Sequence, residues 1–297
     1  MRHRLNFRLL AGLALINLSL LGPATAGHQA DETSRSWNRP VKPFKLIGNI
    51  YYVGASDVTS YLITTPQGHI LLDSGFAETV PLIKDNVKQL GFKLEDIKIL
   101  LNSHAHFDHA GGLSELKELT GAQLMASEAD AELLAQGGRG DFQWGDTLAY
   151  RPAKVDRVLR DQDRVELGGV TLIARLTPGH TKGSTTWTTR VPEGGRVLDV
   201  VFAGSTSIPG YKLVGNAKYP NIVADYAHAF RLLKALPCDV FLAPHGSFFA
   251  MQEKRLRMEQ GEKSNPFIDP EGYRRYVERT ERAYLDQLRK EQHAGGK

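Results

Sequence analysis

Apolar positions along this chain change rhythm repeatedly, and each change marks a different element. The runs "KLIGNIYYVG", "TSYLITTP" and "GHILLDSG" are dense in Ile, Leu, Val and Tyr and are separated by Gly, Pro and Asp, which predicts consecutive strands. In "ETVPLIKDNVKQLG" the spacing becomes helical, with Val80, Ile83, Val87 and Leu90 on one face and Gly91 as the stop. "DIKILL" then reads as a short strand, "GLSELKELTG" as a helix closed by Gly121, "AQLMAS" as a strand and "EADAELLAQ" as a helix. The second half repeats the alternation. Strands "VTLIARLTP", "GSTTWTTRV" and "RVLDVVFAG" precede the helix "IVADYAHAFRLLKAL", which places Ile222, Tyr226, Phe230 and Leu233 on one face, and "DVFLAPHG" reads as strand then loop. Asp269 and Pro270 supply a cap and a first-turn proline for a last helix with a packing stripe from Tyr273 to Leu288, and a frayed, disordered tail is expected from about residue 293. Strands and helices in both halves predict sheets covered by helices rather than an all-β barrel. No linker-like composition divides residues 27–297, which read as a single domain.

Two stretches break the pattern. Residues 1–26 combine the basic "MRHRLNFR", the apolar "LLAGLALINLSLLG" and the small-residue ending "ATA", the layout of a secretory signal cut after Ala26. A retained membrane anchor fits less well, because the run is short and carries Asn17 and Ser19. The expectation is export to the periplasm with no stable anchor after cleavage. Residues 137–152, "GGRGDFQWGDTLAYRP", are Gly-rich and irregular, and Phe142 and Trp144 either form a binding lip or pin the loop to the body.

Charge and cysteine content narrow the picture. The formal charge of +4 loses Arg2, Arg4 and Arg8 with the signal, leaving 34 basic residues against 33 acidic, so no nucleic-acid partner is implied. The one cysteine, Cys238, excludes an intramolecular disulfide and sits beside an apolar strand, where a small packed hydrophobe is the expected role.

The chemistry concentrates in "NSHAHFDHAGG", where His104, His106, Asp108 and His109 follow a strand and precede a glycine pair. On a helix, residues two apart diverge by about 200°, so His104 and His106 could not share a metal. In an extended loop His104, His106 and Asp108 would point one way and His109 the other, and one segment could serve two adjacent metals. Imidazole and carboxylate without thiolate favour zinc or a similar first-row ion. A polar surface loop whose histidines merely cluster is the plainer alternative, and four ligand-type side chains in six residues weigh against it. His180 in "LTPGHTKGS" and His245 in "LAPHGS" stand in matching places, each after a strand and before a glycine. Five histidines and one aspartate give three ligands per metal and leave open positions, which implies chemistry rather than a closed structural site. His69, His228, His28 and His293 are expected in surface or packing roles, and His3 leaves with the signal.

"HAHFDH", "GHTKGS" and "APHG" together resemble the metallo-β-lactamase superfamily over roughly residues 44 to 250. The resemblance implies an α+β fold, an αββα sandwich of two mixed sheets packed face to face, helices on the outer faces and a dinuclear metal site at one edge. Many members carry a bridging aspartate where this chain has Ser205, and other β-lactamases carry a cysteine ligand there. The intact H-x-H-x-D-H with serine at that place, and stretches such as "GASDVTSYLI" and "STSIPGYKL", resemble subclass B3. The resemblance then implies two zinc ions per chain, one on His104, His106 and His180 and the other on Asp108, His109 and His245. It also implies that Ser205 and Ser207 orient metal-bound water and the substrate carboxylate. The expected activity is hydrolysis of a small β-lactam by a metal-activated hydroxide, by a monomer, with Asp108 or a metal-bound water a candidate for protonating the leaving nitrogen. The alternatives are a related hydrolase acting on a lactone, ester or thioester, and a non-catalytic metal-binding protein. The serine-enzyme motifs S-x-x-K and G-x-S-x-G are read as absent, and a serine nucleophile is set aside.

Overall fold

The structure, a computed structural model, describes residues 32–295; the signal expected over residues 1–26 lies outside them. A short helix α1 (Glu32–Trp37) precedes strands β1 (Phe44–Ile47), β2 (Ile50–Tyr52), β3 (Tyr61–Thr65) and β4 (Gly68–Leu72). Helix α2 (Val80–Gln89), β5 (Ile97–Leu101), the single turn α3 (Phe107–Ala110), α4 (Leu113–Thr120), β6 (Gln123–Ser127) and α5 (Glu128–Ala135) follow. After the long loop come β7 (Arg157–Leu159), β8 (Arg164–Leu167), β9 (Val170–Leu176), β10 (Thr185–Glu193), β11 (Arg196–Phe202), α6 (Ile222–Ala235), β12 (Val240–Leu242), α7 (Met251–Glu259) and α8 (Pro270–Gly295).

The strands form two mixed sheets. Seven run in chain order, β1 to β7, antiparallel as far as β4 and parallel from there. Five make the second sheet in the order β12-β11-β10-β9-β8, antiparallel except for the β11–β12 pair. Because side chains alternate across a strand, a strand covered on both faces must be apolar at nearly every position, and the middle of the first sheet is. Ile70, Leu72, Ile99, Leu101 and Met125 face the other sheet and meet Leu172, Ala174, Trp187 and Val200. Leu71, Leu100 and Leu124 face outward and pack under Val80, Ile83 and Val87 of α2 and Leu113 and Leu116 of α4. On the far side, Tyr226 and Phe230 of α6 stack with Tyr284 of α8. The expected αββα sandwich is therefore the observed architecture.

Several local expectations differ. "KLIGNIYYVG" is two strands, because Gly48 takes φ 52° and a Cβ there would press on Val191, so the chain turns. The elements α1, β7, β8 and α7 carried no clear period: β7 and β8 each bury one residue, and α7 buries only Met251 and Lys254. At the other end, α8 continues through His293 and Ala294 to Gly295 instead of fraying. No proline or glycine interrupts it between Tyr273 and Ala294.

Candidate metal centre

The carboxyl ends of five strands meet at one edge of the sandwich. There β4 leads to Asp73, β5 to His104, β9 to His180, β11 to Ser205 and Ser207, and β12 to His245. The first motif is extended only as far as His106 (φ −81°, ψ 156°); Asp108 and His109 lie on the α3 turn, where an extended run was expected. The His109 and Ala110 amides both donate to the His106 carbonyl, and the Ser74 amide and hydroxyl bind the His109 carbonyl at 2.8 and 2.9 Å, which closes the turn. His109 is thus folded back, its ring centre 4.3 Å from that of His104. The glycines after the motif answer to close packing. A Cβ on Gly111 would lie 2.5 Å from the Phe107 carbonyl, and one on Gly112 would lie 2.6 Å from Val80.

All six candidate ligands come together. The donor atoms of His104, His106 and His180 lie within 4.8 Å of one another, as do those of His104, Asp108 and His109, so His104 stands between the two groups. His245 completes the second group, its Nε2 3.5 Å from Asp108 Oδ2, while His109 Nε2 approaches the same oxygen to 3.2 Å.

The outer nitrogen of each ring fixes which way its lone pair faces. His180 Nδ1 donates to the Ser207 carbonyl at 2.9 Å, so its lone pair is on Nε2. His106 turns Nε2 toward the Asp141 carboxylate, 3.5 Å away and without a hydrogen bond, and Nδ1 toward His180. His106 Nδ1 and His180 Nε2 are 3.1 Å apart, a spacing that a shared cation or proton would satisfy. Tetrahedral zinc with imidazole ligands sets such nitrogens about 3.3 Å apart. In the second group, His245 donates through Nδ1 to Asp57 at 2.9 Å, and His109 points Nδ1 at Asp73, 3.8 Å away. Neither nitrogen of buried His109 makes a hydrogen bond. Orphaned imidazole nitrogens around one carboxylate are the donor set a divalent first-row cation requires, so the residues fit a metal at both places.

Protonation agrees with that fit. Burial, aided by the neighbouring imidazoles, holds His104 and His180 well below the usual histidine range, so both stay neutral. Burial alone would raise Asp108, but His109 and His245 hold it well below the usual carboxylate range. Burial likewise opposes the charge on His245, yet the Asp108 and Asp57 carboxylates outweigh it and lift this histidine to about 9. Burial lifts Asp73 to about 6, offset in part by His109 and the Ser103 amide.

Above the cluster opens a cavity of about 620 Å³, large enough for a drug-sized molecule. Its floor includes His106, Asp108, His180 and His245, and its walls include Trp37, Phe107, Trp144, Leu148, Pro209 and Phe248. The loop of residues 137–152 divides its aromatics between the two expected roles: Phe142 is buried edge-on against Tyr211 and Tyr219, while Trp144 lines the cavity. Ser207 lines it too, whereas Ser205 is buried behind, its Oγ 3.2 Å from that of Ser207.

Sequence reasoning missed the carboxylates behind the rings, Asp57, Asp73 and Asp141, and a buried brace beneath them. Asp130 accepts from Asn102 Nδ2 at 2.9 Å and from the Thr181 hydroxyl at 3.3 Å, joining the two ligand-bearing loops. The S-x-x-K motif read as absent does occur once, from Ser114 to Lys117. It lies on α4, with the lysine bound to Asp156 and the Lys154 carbonyl, so it does not activate the serine. Of the remaining histidines, His69 is buried against Phe92, His228 and His293 are exposed, and His28 lies outside the described residues. Cys238 is half-buried against the main core.

A two-sheet sandwich with histidines and a carboxylate gathered at the strand ends, open to a cavity, defines a metal-binding hydrolase. The family model described as the metallo-beta-lactamase superfamily matches residues 53–245, and the chain belongs to that superfamily and, within it, to subclass B3. It is 43% identical to the FEZ-1 metallo-beta-lactamase of Legionella gormanii, with a TM-score of 0.84 over 86% of this chain and 98% of that one. It is 38% identical to LRA-12, a class B3 di-zinc metallo-beta-lactamase from an Alaskan soil metagenome, with a TM-score of 0.80 over 85% of this chain and 96% of that one. A more distant relative is the N-acyl homoserine lactonase AttM of Azorhizobium caulinodans, 27% identical over 52% of this chain and 70% of the lactonase.

Proposed function

We propose that this protein is a zinc-dependent β-lactamase that opens the β-lactam amide bond of penicillins, cephalosporins and carbapenems, and so confers antibiotic resistance. The observation that carries the reading is the pair of donor groups converging on the floor of an apolar-walled cavity. One zinc would be held by His104, His106 and His180, and a second by Asp108, His109 and His245. When bound, the ions supply Lewis acidity and bring the pKa of water to near neutrality.

The chain's own residues do the rest. Trp144, Leu148 and Phe248 shed water from the bicyclic substrate and orient it over the cluster. Ser207 Oγ, held by Ser205 Oγ, is placed to hydrogen-bond the substrate carboxylate. Asp108 on the cavity floor would relay the proton released by the attacking water to the lactam nitrogen as the C–N bond breaks. No side chain attacks the substrate, so no acyl-enzyme forms. Residues 1–26 would direct the chain to the periplasm, where β-lactams meet their targets.

The test is a substrate panel: a penicillin, a cephalosporin, a carbapenem, an acyl homoserine lactone and a glutathione thioester, each with and without chelator. Chelator-sensitive, zinc-restorable turnover confined to the lactams is expected. Turnover of the lactone or thioester alone would replace this reading with a second one, in line with the lactonase relative.

A further inference from the structure

The chain around His245 is held by a residue that supplies no candidate ligand. Asp57 Oδ2 accepts from His245 Nδ1 at 2.9 Å, its carbonyl accepts from the Gly246 amide at 2.7 Å, and its Oδ1 accepts from the Ser247 amide at 2.7 Å. Three consecutive residues therefore hang on one aspartate. Asp57 is anchored in turn: its amide donates to the Trp37 carbonyl at 2.9 Å, and the Val58 amide shares that carbonyl at 3.2 Å. The Trp37 ring stands edge-on to His245 with centres 5.0 Å apart, and Phe248 lies at the same distance. The strap that carries Trp37 is tied down by Ser56, whose hydroxyl donates to the Ser36 carbonyl at 2.7 Å, and by Asn38, which accepts from Thr79 at 2.7 Å.

We infer that Asp57, backed by the strap through Trp37, is a positioning residue for the second metal position. It fixes His245 in the tautomer and orientation that aim Nε2 at Asp108 and His109. Metal-bound histidines commonly depend on such a partner, whose loss lowers metal affinity about 10- to 100-fold. The inference rests on the ligand assignment proposed above. It is selective, because the outer partners of the first group, the Ser103 hydroxyl, Asp141 and the Ser207 carbonyl, belong to other segments.

Asp57→Asn is the sharpest variant. An amide has one acceptor oxygen, so its NH2 must face a donor, either His245 Nδ1–H or the Ser247 amide. Metal-free full-length wild type, Asp57→Asn, Trp37→Ala, His245→Ala and His104→Ala would be titrated with zinc against a chromophoric chelator and their cobalt(II) absorption spectra recorded. The expected result is two zinc ions on wild type and a roughly 10- to 100-fold loss of affinity at one of them in Asp57→Asn. Its cobalt spectrum should match His245→Ala and not His104→Ala. Trp37→Ala should lose less, at the same position. Equal affinities in wild type and Asp57→Asn, or an equal loss at both positions, would overturn the inference. If Asp57→Asn fails to fold by circular dichroism, Trp37→Ala decides alone, and unchanged zinc binding there overturns it. Wild type that binds fewer than two zinc ions would instead overturn the ligand assignment.

Discussion

The two donor groups each take two ligands from one loop yet rest on different foundations. His104, His106 and His180 come off β5 and β9, and their backing is a hydroxyl, a carbonyl and one carboxylate. Asp108, His109 and His245 surround a single carboxylate, and each histidine there has a further carboxylate behind it, Asp73 or Asp57. Burial and the neighbouring imidazoles keep His104 and His180 neutral, whereas the carboxylates around His245 hold a proton on it that a metal must displace. Two positions with equal ligand counts therefore lean on different groups, and the second depends on carboxylates from two other loops.

The largest effect should come from the first group itself. His106→Ala should lower turnover of a penicillin by roughly 10³-fold, within the range seen when a catalytic group is lost, and His245→Ala by less at saturating zinc. Equal losses measured by steady-state kinetics would break the comparison. Next comes the footing of β5. Trp187 is fully buried and its Nε1 donates to the Asn102 carbonyl at 2.9 Å, so Trp187→Phe leaves that carbonyl unpaired. Urea unfolding should show a loss of about 1–3 kcal/mol, with the first metal position weakened more than the second.

A pH-dependent effect belongs to the brace between the two ligand loops. Burial lifts Asp130 to about 7, above its unfolded value of about 3.9. Between those values the folded chain holds a proton that the unfolded chain has lost. The stability this lends is complete below the lower value and is lost as pH rises through the upper one. Asp130→Asn does not titrate, so wild type should lose stability relative to it by up to roughly 1.4 kcal/mol per pH unit across that window. Unfolding curves at a series of pH values would check the slope, and a slope of opposite sign would rule out a neutral Asp130. The smallest effect belongs to the cavity wall: Trp144→Ala should raise KM for a penicillin about 3- to 10-fold through lost apolar contact and leave zinc affinity unchanged.

Much of this was legible in the residues before the fold was known. The six candidate ligands stood out because ligand-type side chains crowd directly after apolar strands, and those strands end at a common edge. The alternation of strand and helix was readable for the same reason: both faces of the central strands are covered, so their apolar runs are unbroken. The supporting carboxylates were not readable. Asp57 lies 188 residues from its histidine and Asp73 stands in a strand-end turn, each looking like an ordinary loop aspartate in sequence. The turn at α3 was hidden too, because its closure depends on Ser74, which lies on another loop. Ser205 and Ser207 were picked out together, but only the fold separates the buried one from the one that faces the cavity.

The most direct test of the account is zinc uptake by the metal-free chain, followed together with hydrolysis of a carbapenem in the same titration. Two zinc ions should bind in separable steps, with turnover that appears with metal, vanishes with chelator and returns with zinc. A single bound equivalent, or turnover that persists after the metal is stripped, would contradict it.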